Sequence, residues 1–268
     1  MKKKFLITVK TYPTISSKYE ELVCTAGFLE NGEFIRIYPI PFRKLDYAMQ
    51  YKKYDWIEID IEKNTSDFRP ESYRPIYSEL DLSIPVIDHI GTENNWLKRK
   101  KIVLNKVYED IEKLINEAKN IGTSLAVFKP KKIIDFIYEE TNRKWDSNKL
   151  KALQQFNLFE KRDNDFKVVR KLPFKFSYSF KDCNDKKCKL MIEDWEIGAL
   201  YWNSLKRSNG NEEKAILKVK SKYFDDFAKT KDLYFYLGTT LKYHKRGKNP
   251  FIIIGTFHPK LDNQFSLF

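Results

Sequence analysis

Lys242, Tyr243, His244, Lys245, Arg246 and Lys248 crowd four fixed cations and two rings into seven consecutive positions. Cationic side chains neutralise phosphates and flat rings stack on bases, so this segment is the leading candidate for a nucleic-acid contact. It lies between two β-forming stretches, and loops held by rigid strands are where binding residues concentrate. An ordinary solvated turn is the plain alternative. Arg36, Tyr38 and Arg43 form a second candidate set at the end of a strand and just beyond it. Tyr38 follows Arg36 by two residues, so the two share a strand face and line a common groove. The run Lys98, Arg99, Lys100, Lys101 offers a third cationic patch, or simply a solvated helix start.

Acidic residues point to a different chemistry. Asp60, Glu62 and Lys63 combine carboxylates for Mg²⁺ with a lysine near an attacking water, the set a metal-dependent nuclease uses. Glu58, Asp60 and Glu62 also alternate as any exposed strand face does. Glu193, Asp194 and Glu196 form a second acidic cluster, for which Asp194 as a helix N-cap is the simpler account. Cys183 and Cys188 have four residues between them but lack two further ligands for zinc, and His89 and His258 stand alone. There is no phosphate-binding glycine loop, nucleophile elbow or dinucleotide fingerprint. Neither a metal nor a cofactor is expected, and no catalytic residue is assigned.

The chain has 268 residues, 42% of them hydrophobic and 15% aromatic, enough for a packed core. Fifty basic residues against 37 acidic ones give a net charge of +13, which favours a polyanionic partner. No apolar run has membrane-spanning length, and three cysteines, an odd count, fit a reducing cytoplasm.

These residues need elements to hold them. Strands are expected at 5–9, 22–29, 33–38 and 54–62, with Asn31-Gly32 as a hairpin turn and Pro39 and Pro41 ending the third strand. Residues 64–85 read as a long loop. A helix capped by Asn94 or Asn95 runs to about residue 120, with Val103, Val107, Ile111, Leu114 and Ile115 as its apolar stripe. Strands follow at 124–128 and 133–138, a helix at 147–159, strands at 166–170, 174–180 and 189–192, helices at 194–206 and 212–229, and strands at 233–237 and 251–257. The pattern divides into an N-terminal β-barrel (1–92), a helical linker region with short strands (93–160), a C-terminal β domain with two helices (161–259) and a tail (260–268).

Four segments resemble a family of bacterial proteins with dual OB-fold-containing domains. They are Cys24-Thr25-Ala26-Gly27-Phe28 with Gly32-Glu33-Phe34-Ile35-Arg36; Ser124 to Lys131; Phe176-Ser177-Tyr178 with Glu193-Asp194-Trp195-Glu196; and Tyr234 to Leu237 with Phe251 to Gly255. Residues 37–39 and 94–120 depart from the family pattern. The resemblance implies an α+β fold of two small antiparallel OB-like β-barrels with intervening and packed helices, and no catalytic residues. At the end of the chain, Gln264-Phe265-Ser266-Leu267-Phe268 resembles the peptide by which bacterial DNA-processing proteins dock on the replication sliding clamp. In that motif Leu267 and Phe268 are apolar anchors and Gln264 bonds the pocket rim.

Together these features lead to the expectation of a cytoplasmic nucleic-acid-binding protein. DNA, single- or double-stranded, is the expected partner, and a sliding-clamp tail recruits the protein to repair, replication-associated processing or defence against foreign DNA. The alternatives are a metal-dependent nuclease and a module that reads RNA or modified bases; no membrane partner is expected.

Overall fold

The computed structural model of the chain describes residues 1–16, 20–45, 47–76, 83–151 and 168–261. The run Phe5-Leu6-Ile7-Thr8-Val9 has no polar/apolar alternation, and strand β1 (Lys2–Lys10) is accordingly buried on both faces. Phe5 and Ile7 enter one core, while Leu6 and Val9 enter another. β1 pairs antiparallel with β3 (Glu20–Leu29), which β2 (Thr14–Ser16) also pairs. The Asn31-Gly32 turn, with Gly32 at φ +82°, returns the chain from β3 into β4 (Phe34–Ile40). β4 continues through Pro39 instead of ending before it. The β3–β4 register shifts between Val23 and Thr25, and a bulge tolerates a residue that lacks a ladder N–H.

Strand β5 (Asp55–Lys63) alternates buried and exposed residues and closes on β1. The 64–85 segment is not all loop. It contains β6 (Ser72–Pro75), parallel to β4 and antiparallel to β5. The result is a closed five-stranded barrel ordered β1-β3-β4-β6-β5 with one parallel pair, and β7 (Val86–His89) pairs on the far side of β5. This is an OB-like arrangement.

The single helix expected over 94–120 is two helices. Asn94, Asn95 and Trp96 have left-handed φ within α1 (Glu93–Val103), and Val107 lies on the two-residue strand β8 (Val107–Tyr108). The Asp110 side chain then accepts from the backbone N–H groups of Glu112 and Lys113 and starts α2 (Ile111–Asn120).

The second sheet runs β10-β11-β12-β14-β13-β9-β8 and is open, with β10 and β8 as separate edges. The closed second barrel implied by the resemblance is therefore not formed. Its strands are β9 (Leu125–Phe128), β10 (Lys132–Glu140), β11 (Phe174–Lys181), β12 (Lys187–Ile192), β13 (Tyr234–Thr239) and β14 (Phe251–Phe257). An open sheet must have a face covered, and α2, α3 (Trp195–Arg207) and α4 (Glu212–Lys220) bury Leu114, Tyr201 and Val219 against it. The helix expected over 212–229 changes to π-helical winding at Ser221–Ala228, where Tyr223 offers its carbonyl to the Tyr178 hydroxyl. Residues 168–170, the described part of the strand expected at 166–170, form no strand, whereas residues 147–151 of the helix expected at 147–159 are helical and the rest of it lies outside the described residues.

A third apolar cluster joins the two units. Leu6, Val9, Ala26 and Phe28 on the outside of the barrel pack with Leu125, Val127, Tyr236 and Ile254 of the open sheet. At Gly198 a Cβ would come 2.1 Å from the Tyr12 ring, so glycine lets α3 pack against the end of β1.

Candidate nucleic-acid interface

The loop joining β5 to β6 reaches the second sheet through a web of buried polar contacts. Arg36 on β4 is 2% exposed and donates to Ser124 Oγ (2.7 Å) and to the Ser124 carbonyl (3.2 Å). Glu71 accepts from Ser124 N and Oγ, each at 2.9 Å. Arg69 donates to the Thr239 carbonyl, while Asp67 grips Arg69 and Ser72. Burial opposes ionisation of Asp67, yet hydrogen bonds from Arg69 and Ser72 hold its carboxyl at about 2.

This web places Phe68, half exposed, beside the basic loop that joins β13 to β14. His244 is fully buried and anchors that loop. Its Nε2 donates to the Ala118 carbonyl in the last turn of α2 (2.9 Å), so Nδ1 accepts from the Thr239 hydroxyl (2.7 Å). Burial pushes the imidazole pKa down, which favours this neutral form. The Phe68 ring packs edge-on to His244 at 5.2 Å, and Lys245 Nζ lies 4.5 Å from the Phe68 centroid. Lys242, Tyr243, Lys245, Arg246 and Lys248 are exposed, and no described carboxylate pairs with any of these four cations. Phe68, Leu241, Lys242, Lys245 and Arg246 together line a surface hollow of about 310 Å³.

Leu241 also belongs to a larger cleft of about 470 Å³ between the barrel and the second sheet. Its barrel side consists of Thr11, Tyr12 and Thr14 from the β1–β3 connection, Leu22 and Cys24 of β3, Arg36, Tyr38 and Pro39 of β4, Asn64, Ser66, Asp67 and Arg69 of the β5–β6 loop, and Arg74 of β6. Apart from Arg74, these are the second and third barrel strands and the two flanking loops, the face that OB barrels use for oligonucleotides. Glu193, Thr239, Thr240, Ile252 and Ile254 form the other wall.

The candidate residues read from sequence therefore separate into three groups. Lys242, Tyr243, Lys245, Arg246 and Lys248 share one exposed patch, with His244 beneath it as its anchor. Arg36 and Tyr38 line the cleft. Arg43 lies apart, paired with the buried Glu21 at 2.5 Å in a hollow shared with Tyr12, Trp195 and Trp202. Phe68 and Arg69 are placed beside these candidates by the fold alone, and Glu193, part of the second acidic cluster in the sequence, lines the cleft. The only local signal was an aromatic residue between Asp67 and Arg69 in a loop after an alternating strand.

The other charged clusters have structural partners. Glu62 pairs with Arg74, and Lys63 donates to the Pro70 carbonyl and lies over Tyr73. Asp194 caps α3 and, with Glu196, holds Lys53 Nζ at 3.1 and 2.6 Å. Burial pushes the Asp194 carboxyl up against the pull of Lys53. Arg99 turns inward, 3.7 Å from the Tyr54 ring, and donates to the Ile90 carbonyl. Among the described residues no three Cys, His, Asp or Glu side chains are grouped to hold a metal. Gln264, Leu267 and Phe268 lie outside the described residues. No described helix is long and apolar enough to cross a membrane.

Two family profiles match in tandem: a domain of unknown function (DUF8758) over residues 1–105 and a domain of unknown function (DUF8757) over residues 106–268. The chain belongs to the DUF8757 family. The junction falls between α1 and β8, where the strands pass from the barrel to the open sheet. No curated protein matches the sequence. A solved structure of a murine DNA binding protein bound with ds DNA overlays 97% of this chain and 95% of that one. Its TM-score is 0.32 and its identity 13%, too low for the overlay to bear on fold or function.

Proposed function

We propose that this protein binds single-stranded nucleic acid, with the phosphates on the 242–248 loop and bases against Phe68, Tyr243 and the cleft beyond them. The observation that carries this reading is the set of four exposed cations without carboxylate partners, held beside two exposed rings at the mouth of the OB-type face. Cations draw in the backbone, and rings stack on bases without regard to sequence. Lys242, Lys245, Arg246 and Lys248 take the phosphates, Tyr243 and Phe68 the bases. His244 and Arg36 position the two walls, and Tyr38 faces the bound strand inside the cleft.

Fluorescence anisotropy with a labelled single-stranded oligonucleotide tests this. The double variant Lys245→Glu/Arg246→Glu should bind at least about tenfold more weakly and show a shallower salt dependence, because fewer counterions are released. Unchanged affinity and slope would refute the assignment.

The resemblance of Gln264, Leu267 and Phe268 to a clamp-docking peptide supports DNA as the partner and recruitment to the bacterial sliding clamp as the means of delivery. Removing residues 264–268 should abolish capture by purified clamp while leaving oligonucleotide affinity intact. Clamp capture that survives the deletion removes the tail from the proposal.

A further inference from the structure

Within the inter-sheet cleft, one carboxylate is left over. Asp67 is committed to Arg69 and Ser72, Glu71 to Ser124, and Asp194 to Lys53. Glu193 stands at the end of β12, where its backbone bonds to Ile253 and Tyr12, but its half-buried carboxylate has no hydrogen-bond or ion-pair partner among the described residues. Thr240 Oγ1, on the same wall, is buried and also unpartnered. Buried polar groups in folded proteins are nearly always satisfied, so the Thr240 hydroxyl, left unsatisfied on the same cavity wall as the unpaired, half-buried carboxylate of Glu193, marks a place for a polar ligand.

We infer that the cleft accepts one unstacked nucleobase bearing an exocyclic amino group, with Glu193 as the acceptor for that group. This inference rests on the nucleic-acid reading above. The cleft volume of about 470 Å³ lies within the range of small-ligand sites, about 300–1,000 Å³. Tyr38, Leu241, Ile252 and Ile254 supply ring and aliphatic surface for the faces of a base, and Thr240 supplies a second polar contact at its edge. Leu241 lines both this cleft and the surface hollow of Phe68, Lys245 and Arg246. A strand held on the basic loop can therefore turn one base inward, as enzymes and readers that extrude a base do. A carboxylate accepts from the amino groups of adenine, cytosine and guanine, whereas thymine and uracil present carbonyl oxygens at those positions.

The test uses oligothymidine and three oligonucleotides in which one central thymine is replaced by adenine, cytosine or guanine. The intact protein should bind at least one amino-bearing oligonucleotide about tenfold more tightly than oligothymidine, the scale of one good edge contact. Glu193→Met should remove that preference and leave oligothymidine affinity unchanged. Because the carboxylate has no partner, the substitution should leave the melting temperature within a few degrees of the parent. Equal affinity of the intact protein for all four oligonucleotides overturns the base pocket and leaves the nucleic-acid reading standing. A preference that survives Glu193→Met overturns the role of Glu193. Failure to bind any oligonucleotide overturns the nucleic-acid reading, and this inference with it.

Discussion

The N-terminal barrel and the C-terminal sheet solve the same problem in different ways. The barrel closes β1 on β5, and its core of Phe5, Ile7, Ile35, Ile37, Ile57 and Ile59 is enclosed by its strands and capped by Phe42, Leu45 and Tyr51 of the β4–β5 connection. The second sheet stays open and builds a larger, more aromatic core from Phe128, Phe136, Phe176, Tyr178 and Phe235 under its helices. Closure leaves the outside of the barrel available. Part of it is spent on the third apolar cluster, and the β3–β4 face is left to form a cleft. The open sheet contributes that cleft's second wall and the basic loop.

The comparison breaks first at the cores. Phe5→Ala in the barrel and Phe176→Ala in the open sheet should each cost about 4 kcal/mol, as expected for truncating a fully buried phenylalanine. Because the third cluster and the Arg36–Ser124–Glu71 web tie the units together, both losses should appear in one cooperative urea transition. Two separate transitions would show that the units fold independently.

A smaller effect is expected from the web itself. Arg36→Ala leaves the buried Ser124 without its guanidinium partner and should cost about 2 kcal/mol. It should also broaden the transition or split it, read by tryptophan fluorescence against far-UV circular dichroism.

His258, between Trp96 and Phe227, makes the stability depend on pH. It stacks on Phe227 of the π-helical turn at 3.6 Å, and burial pushes its imidazole down to about 4. In the unfolded chain it titrates near its ordinary value, about 6.5. Between those values the unfolded chain holds the extra proton, so stability falls as pH drops from about 6.5 to 4. The loss by pH 4 should be of the order of 2 kcal/mol, and His258→Phe should flatten that part of the profile. A profile unchanged by the substitution would remove His258 as the source.

The smallest stability effects belong to the surface. Gly32→Ala places a Cβ at φ +82° and should cost about 1 kcal/mol in the barrel hairpin. Phe68→Ser, at a half-exposed ring, should leave the melting temperature nearly unchanged. It should weaken oligonucleotide binding by at least about fivefold, the low end of one base–aromatic stack.

Most strands were legible because their signals are local. Residues 251–257 alternate little and are buried on both sides, Asn31-Gly32 specifies its turn, and Asp194 caps α3 as its type and position imply. The long helix was misread because Val103, Val107 and Ile111 keep helical spacing across a break made by Asp110 capping and by Val107 pairing with Val127. Strand β6 was invisible because four residues ending in proline, paired in parallel with β4, carry no periodicity that separates them from loop. The basic loop could be found from its composition. Its partner Phe68 lies more than 170 positions earlier in the chain and is brought to it by a loop that Arg69 ties to Thr239.

The sequence by itself determined the charge, the strands with strong alternation or continuous apolar runs, and the clustering of cations at 242–248, because each follows from residue types within a few positions. Only the tertiary structure decided that one sheet closes and the other stays open, since closure depends on pairing β1 with β5 across some fifty residues. It also decided which charges are free. Arg36 and His244 are spent within the protein, Lys245 and Arg246 are not, and Glu193 is left facing a cleft. Whether a charged group holds the fold or awaits a ligand depends on partners that distant segments bring to it.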